Sequence, residues 1–427
     1  MRLIRAAPKT VKLHWQILFA IVLGGFAGWL TGDTGGAFGI LAYDLYDFLG
    51  TLFLNALKML IVPLIASSII VGVAGIGSSG NLGRLGGKTL LFYLATTLAA
   101  VLLGLVLMNV LRPGEIDGEP VGRLLALEVS AAEVSDGLRE RGAGDIVQVL
   151  LRAVPPNIIA AAAEGQFLGI IFFCLLFGYF MTRLDHELAE TMMRFWTGVF
   201  QVMMRMTEWV MVFAPLGVFA LVGRVVAKTG FDAAGPLLAF AGVVLLALGM
   251  HMFVLLPVLL RFVGRVNPVT MLSVLSPALL TAFSTASSSA TLPVTMEQVE
   301  GGIGVSNKVS SFVLPLGATV NMNGTALYEC AAVIFLAQAY GAELGIATQL
   351  LIVLTALVTS IGVAGIPAAS LVAIAIILGA VGLPVESIAV LFVFDRVLDM
   401  ARTSVNVFGD ACCAVIVARL EGEELVP

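Results

Sequence analysis

Charge is what this sequence has least of. Only 12% of its 427 residues are charged, about half the share of a soluble domain, while 59% are hydrophobic. A chain of that balance is excluded as a soluble enzyme. Histidine is scarce as well, and His14, His186 and His251 stand far apart, which speaks against a histidine-based metal or nucleophile site. The four cysteines, Cys174, Cys330, Cys412 and Cys413, sit inside apolar runs without metal-ligand spacing. Neither a disulfide framework nor a zinc site is indicated, and they read as packing residues. A short apolar core with a small-residue cleavage site is missing from the N-terminus, which carries Arg2, Arg5, Lys9 and Lys12 and reads as a cytoplasmic start, not a signal peptide.

What the sequence does have is apolar runs long enough for roughly 30 Å of hydrocarbon. They lie at about Leu13 to Leu30, Leu49 to Val73, Thr89 to Val110, Phe167 to Met181, Trp209 to Val226 and Pro236 to Leu260. Basic residues follow the even-numbered runs: Arg84 and Lys88, Arg183 and Arg194, Arg261 and Arg265. By the positive-inside rule both ends of this six-span half are internal. The longest polar stretch, Gly114 to Asp145, carries eight acidic residues against Arg123, Arg139 and Arg141, and the same rule makes it an external loop.

From Pro268 onward the pattern changes. Small-residue patches interrupt two segments, FSTASSSATLP from Phe283 to Pro293 and IGVAGIPAAS from Ile361 to Ser370, each flanked by apolar arms short for a crossing. Irregular backbone at membrane depth is tolerated only where it lines a cavity or is buried in protein. Paired interruptions of this kind point to re-entrant hairpins around a mid-membrane binding site.

Two further features sit in the same half. The final apolar segment, Val385 to Ala418, contains Asp395, Arg396, Asp399, Arg402, Asn406 and Asp410. A charge at a span's centre costs roughly 2.5 to 3.5 kcal/mol on insertion scales, so these groups need partners or water. Asp395, Asp399, Arg402, Asn406 and Asp410 fall within an arc of roughly 80° at helical spacing, one stripe facing a polar interior. An ion-pair ladder would satisfy that stripe, but not the hairpins. GATVNMNGTALY, from Gly317 to Tyr328, lies inside an apolar stretch. Its Gly and Asn residues predict a helix break that frees carbonyls, and freed carbonyls in a membrane can coordinate a cation; a kink without a ligand is the plainer alternative.

With Ser287, Ser288 and Ser289 followed by TLPVT, the broken NMNGT, the second tip AGIPAAS and the pattern from Asp395 to Asp410, the sequence resembles the dicarboxylate/amino acid:cation symporter family over nearly its whole length. That resemblance implies an all-α polytopic membrane protein with eight transmembrane helices, two re-entrant helical hairpins, inverted repeats and an elevator mechanism. It implies a homotrimer in the inner (plasma) membrane, with no prosthetic cofactor and no nucleic-acid partner. Residues 1–88 would hold scaffold helices one and two, 89–111 transport-domain helix three, 112–227 the external loop and scaffold helices four and five, and 228–427 the rest of the transport domain.

The implied substrate is glutamate or aspartate, carried with H+, Na+ or both. Arg402 would pair with the substrate side-chain carboxylate, helped by Thr325, and Asp399 would take the amino group. Asn406 and the tip around Ser287 and Ser288 would hold the α-carboxylate, with Thr403 and Ile366 completing the pocket. One implied sodium site uses Gly317, Asn321, Asn406 and Asp410; a second uses Thr319, Ser360 and Ile361. The third uses Tyr93, Thr96, Thr97 and Asn321, with Asn323 where the family has an aspartate. An amide offsets cation dehydration less well than a carboxylate, and Glu329 matches a protonatable position. The expectation is therefore proton symport with reduced or no sodium coupling.

Two departures stand out: Ala286 and Met400 occupy positions where the family often has an arginine, leaving open whether Arg396 serves Asp399 instead. The rival readings are a C4-dicarboxylate symporter, against which Asp399 sets an anion facing an anion, an anion channel, and an intramembrane enzyme built on the tip serines or on Asp395 and Asp399. For the last, no histidine lies near the serines in sequence.

Overall fold

The computed structural model describes residues 13–37, 40–78, 85–125, 127, 154–163, 167–232, 234–362 and 369–425. Its helices, in order, are α1 (Leu13–Thr31), α2 (Ala42–Ser78), α3 (Gly87–Leu111), α4 (Ile158–Ala163), α5 (Phe167–Met181), α6 (His186–Val212) and α7 (Ala214–Thr229). There follow α8 (Ala234–Gly264), α9 (Pro268–Thr285), α10 (Ser288–Gln298), α11 (Asn307–Val320), α12 (Asn323–Ala339), α13 (Ile346–Gly362), α14 (Ala369–Val381) and α15 (Phe392–Leu420). The extended pieces are two small antiparallel pairs, Gly36–Ala37 with Ile40–Leu41 and Glu115–Ile116 with Glu119–Pro120. The second opens the expected external loop, most of which lies outside the described residues.

Five described helices or helix pairs are long and apolar enough to cross a membrane, α3, α8, α9, the α11–α12 pair and α15 with the 3-10 turn before it, and the bent pair α6–α7 makes a sixth if counted as one span. Large apolar side chains such as Trp15, Phe19, Phe26, Phe48, Leu91, Val110 and Phe262 are exposed. Apolar surface on that scale belongs against lipid.

One apolar run does not form the element its length predicts. Trp209 to Val226 crosses the end of α6 and the start of α7, which meet at Phe213 with a 54° bend. Pro215, in the first turn of α7, explains the break: it brings no N–H to carry the α6 ladder onward, and its ring disfavours helical backbone before it.

Packing falls into two groups. In one, α1 lies along α7, and α2 packs on α5, α6 and α7. Gly24 and Gly28 bring α1 so close to α7 that an added Cβ would stand 2.5 Å from the Phe219 carbonyl oxygen and 2.4 Å from that of Gly223. In the other group α12 is central, touching α3, α8, α13, α14 and α15; every residue from Asn323 to Ala339 except Thr325 is buried. Helices α9 and α10 pack as one hairpin that meets α15, and α13 and α14 as a second.

Polar contacts tie one end of this group together. Arg419 Nε donates to the Gly264 carbonyl at 3.1 Å. Ser306 gives its backbone N–H to Glu423 at 2.9 Å and its hydroxyl to the same carboxylate. Lys88 Nζ reaches the Leu420 carbonyl at 2.8 Å and Glu421 at 2.6 Å.

Candidate substrate and cation site

The break expected inside Gly317 to Tyr328 is present. Helix α11 ends at Val320, Asn321 (φ −97°, ψ 88°) and Met322 (φ −113°, ψ 53°) leave helical geometry, and α12 restarts at Asn323. Opposite the break runs the polar stripe of α15, with Asp395, Arg402, Asn406 and Asp410 buried and Asp399 half-buried.

The charged end of the stripe centres on Arg402, which is fully buried. Its Nη2 donates to Asp395 Oδ1 at 3.1 Å and to Asp399 Oδ1 at 3.0 Å. The guanidinium lies 3.9 Å from the centroid of the Tyr328 ring, a cation–π contact that desolvation strengthens. Its Nε and Nη1 find no hydrogen-bond partner among the described residues. Arg396 Nη1 donates to Asp399 Oδ2 at 3.3 Å, so Arg396 reaches Asp399. Two cations thus face two carboxylates, and the cluster is neutral by itself. Thr403 turns its hydroxyl to the Asp399 carbonyl, at 2.8 Å.

Asn406 links the stripe to the break. Its Oδ1 accepts from the Gly324 N–H at 2.8 Å, and its Nδ2 donates to Thr325 Oγ1 at 3.1 Å and to the Met322 sulfur at 3.2 Å. The structure thereby gathers Arg402, Asp399, Thr403, Asn406 and Thr325 in one region. At the first tip Ala286 holds a left-handed backbone (φ 49°), uncommon for a non-glycine residue. Ser287 caps α10 by accepting from the Ala290 N–H at 3.2 Å. Ser288 is buried in the first turn. Ile366 lies outside the described residues.

The other end of the stripe is richer in amides than in charge. Asn321 Nδ2 donates to Asp410 Oδ1 at 2.8 Å, while Asn321 Oδ1 has no partner among the described residues. A Cβ on Gly317 would lie 2.5 Å from both Asp410 Oδ1 and the Tyr93 hydroxyl, so only glycine lets this carboxylate lie against α11. Tyr93 donates to the Val313 carbonyl at 2.9 Å, Thr96 to the Phe92 carbonyl at 2.8 Å, and Thr97 to Asn323 Oδ1 at 2.7 Å. Gly317, Tyr93, Thr97, Asn321, Asn323 and Asp410 therefore form one oxygen-rich neighbourhood. Two residues of the second expected cation site stand differently. Thr319 is exposed, with its hydroxyl on the Leu316 carbonyl at 2.9 Å, and Ser360 is buried near the end of α13, its hydroxyl on the Leu357 carbonyl. Glu329, fully buried, accepts from Thr359 Oγ1 at 2.9 Å and leaves Oε1 unpartnered among the described residues.

Sequence reasoning missed two contributors. Tyr328 was read as the end of a motif and proves to be the ring under Arg402. His251, set aside because the histidines are far apart, is buried and lies 3.3 Å from Asn323 Nδ2 through its Nε2. Its position inside an apolar run was the available signal, since an ionisable residue in a span marks function by default.

An all-α membrane protein with a broken central helix facing a buried stripe of acid, base and amide groups has the form of a solute carrier. The chain belongs to the sodium:dicarboxylate symporter family, whose sequence profile matches residues 13–420. It is 36% identical over 415 residues to the proton/glutamate-aspartate symporter of Escherichia coli K12, covering 97% of this chain and 94% of that one. It is 35% identical over 416 residues to the proton/sodium-glutamate symport protein of Geobacillus stearothermophilus, covering 97% and 96%. Excitatory amino acid transporter 3 of Homo sapiens is 34% identical over 461 residues, covering 98% and 87%.

Proposed function

We propose that this protein is a secondary transporter that carries glutamate or aspartate across the membrane in symport with H+, Na+ or both. One observation carries the reading: a fully buried arginine gives Nη2 to two aspartates, while its Nε and Nη1 have no partner among the described residues. Unsatisfied donors on a buried cation cost free energy until an anion meets them, and a guanidinium is suited to a carboxylate. Arg402 binds the substrate side-chain carboxylate with Thr325 beside it. Asp399, held by Arg396, receives the ammonium. Asn406 and the tip at Ser287 and Ser288 take the α-carboxylate, with Thr403 and Ile366 at the margin. A dicarboxylate without an amine leaves Asp399 facing an anion, which argues against succinate or malate as the main substrate.

Cations enter at the amide-rich end. Gly317, Asn321, Asn406 and Asp410 supply the first position, where one carboxylate and an amide oxygen without a partner among the described residues suit a hard cation. Backbone near Thr319, Ser360 and Ile361 supplies a second, and Glu329 carries the proton. Homologues named for proton and for proton/sodium symport support that pairing. The two packing groups support a division into a scaffold, with α1, α2 and α5 to α7, and a transport body, with α3 and α8 to α15. In this reading the body moves as an elevator within a homotrimer of the cell membrane, built of eight spans and two hairpins, with the N-terminus inside.

Binding of aspartate, glutamate and succinate to purified protein, across a matrix of sodium concentration and pH, tests the proposal. Acidic amino acids should bind with a cation dependence, and succinate should compete poorly. No binding of either amino acid under any condition, or equal competition by succinate, would overturn it.

A further inference from the structure

An apolar fissure of about 450 Å3 lies between the two packing groups. On one wall α1 and α7 supply Gly25, Phe26 and Val222; on the other, α8 and the start of α15 supply Ala234, Val393 and Phe394. Apart from two glycines, every described residue that lines it has an aliphatic or aromatic side chain. Val22, Phe26, Phe231 and Leu238, all exposed, edge its open flank.

Gly25 gives the fissure part of its room. Gly24 and Gly28 are needed because α7 touches them, whereas a Cβ on Gly25 would meet only the Phe231 ring and a Val222 methyl, both at an ordinary 4.0 Å. Glycine inside a helix is a cost that alanine avoids. A helical glycine that packing does not demand, beside an apolar gap, leaves space for something that is not part of α1.

Water is a poor occupant, since apolar cavities stay dry, and an empty gap forfeits the dispersion contacts of its lining. Hydrocarbon is the solvent at this depth. Helix α8, and α15 with the turn before it, are long and apolar enough to cross a membrane. Trp29 stands one turn beyond Gly25, its ring 6.1 Å from that of Phe26 and 6.5 Å from that of Phe231. Tryptophans of this kind collect where hydrocarbon meets water. The turn between α7 and α8, with Gly230 (φ 64°) and the exposed Asp232, lies at the same end. The fissure therefore starts at the headgroup level and runs into the hydrocarbon, which is the course of a lipid tail whose head stays at the surface.

We infer that the fissure binds an acyl chain of a membrane phospholipid, with the headgroup beside Trp29 and the turn at Gly230. Its volume falls within the roughly 300 to 1,000 Å3 of small-molecule sites. In the proposed elevator reading the chain lies between the standing and the moving group and forms part of the surface along which they pass. The site itself stands on the packing alone, whatever the transported solute.

The test reconstitutes the full-length protein, without substrate, in palmitoyl-oleoyl phosphatidylcholine vesicles containing a trace of the same lipid with a diazirine in one acyl chain. After irradiation, peptide mass spectrometry should find label on Val393 or Phe394, which are half-buried in the fissure, as well as on the exposed Leu91 and Phe262. Gly25→Leu should lose the fissure label and keep the other, and Gly25→Ala, too small to fill the space, should keep both. Ala234→Leu fills the gap from the opposite wall and should act as Gly25→Leu does, so a folding failure of one variant leaves the other to decide. No label on Val393 or Phe394, as a protein occupant would give, or label there that persists in the leucine variants, would overturn the inference. So would fissure label that oleic acid displaces while the label on Leu91 and Phe262 stays, since that gives the site to a free fatty acid. Acidic amino acid binding is measured apart from this, so the proposed function and the lipid site fail separately.

Discussion

The two ends of the α15 stripe solve different problems with the same backbone. Between Asp395 and Arg402, two acidic and two basic side chains crowd within two turns and pair with one another. Between Asn406 and Asp410, one carboxylate stands among amides, hydroxyls and a glycine-opened gap beside α11. The first end is equipped for a ligand with charges of both signs, because each group can trade an internal partner for one on the solute. The second is equipped for small cations, which want oxygen atoms and one charge. In the proposed reading a single helix brings solute and coupling ion close to each other.

The sharpest break of this comparison is at Arg402. Removing it leaves Asp395 and Asp399 facing each other in a buried place, so Arg402→Ala is best paired with Asp395→Asn to limit repulsion. The double variant should lose acidic amino acid binding by on the order of 100-fold or more, the scale of a truncated buried charge partner. Calorimetry on folded protein checks it, and unchanged affinity would remove the charged end from the binding site.

At the other end, Gly317→Ala forces a methyl group against Asp410 and Tyr93. Overpacking of that kind costs roughly 1 to 3 kcal/mol, so the melting temperature should fall by several degrees. Stabilisation by NaCl should weaken with it, while solute-only contacts persist. Glu329→Gln should be gentler. The amide keeps an acceptor for Thr359, so stability stays near that of the parent. Uptake into proteoliposomes should lose the rise that lower external pH gives a proton-coupled carrier, and an undiminished rise would place the proton elsewhere. The smallest change is expected for Arg396→Ala. Its contact with Asp399 is a single bond of 3.3 Å within one helix, long for a charge-assisted pair, and Asp399 keeps Arg402 at 3.0 Å. Solute affinity should drop only severalfold, and a loss equal to that at Arg402 would mean that the two arginines act as one unit.

Much of this was legible in the sequence because the membrane makes anomalies expensive. Charges in an apolar run, and Asn and Gly inside a span, have few innocent explanations, so the stripe and the break at Asn321 and Met322 could be located before any coordinates. The bend at Phe213 was not, because hydropathy runs smoothly through a place where Pro215 interrupts hydrogen bonding. His251 was hidden for another reason. Its partner Asn323 is 72 residues away, and no local spacing rule joins a lone ring to an amide on a different helix. Tyr328 was invisible as a cation partner because a buried aromatic is ordinary in any core.

The contacts of Arg419, Glu421 and Glu423 with Gly264, Lys88 and Ser306 bear on how the molecule is made. Those acceptors and donors emerge from the ribosome more than a hundred residues before their mates, and they wait in the bilayer without them. Closure of this half therefore waits for residues 419 to 423, after every earlier helix has been made. Cells that stall translation near residue 415 should accumulate a threaded but unlocked protein, open to the proteases that patrol the membrane.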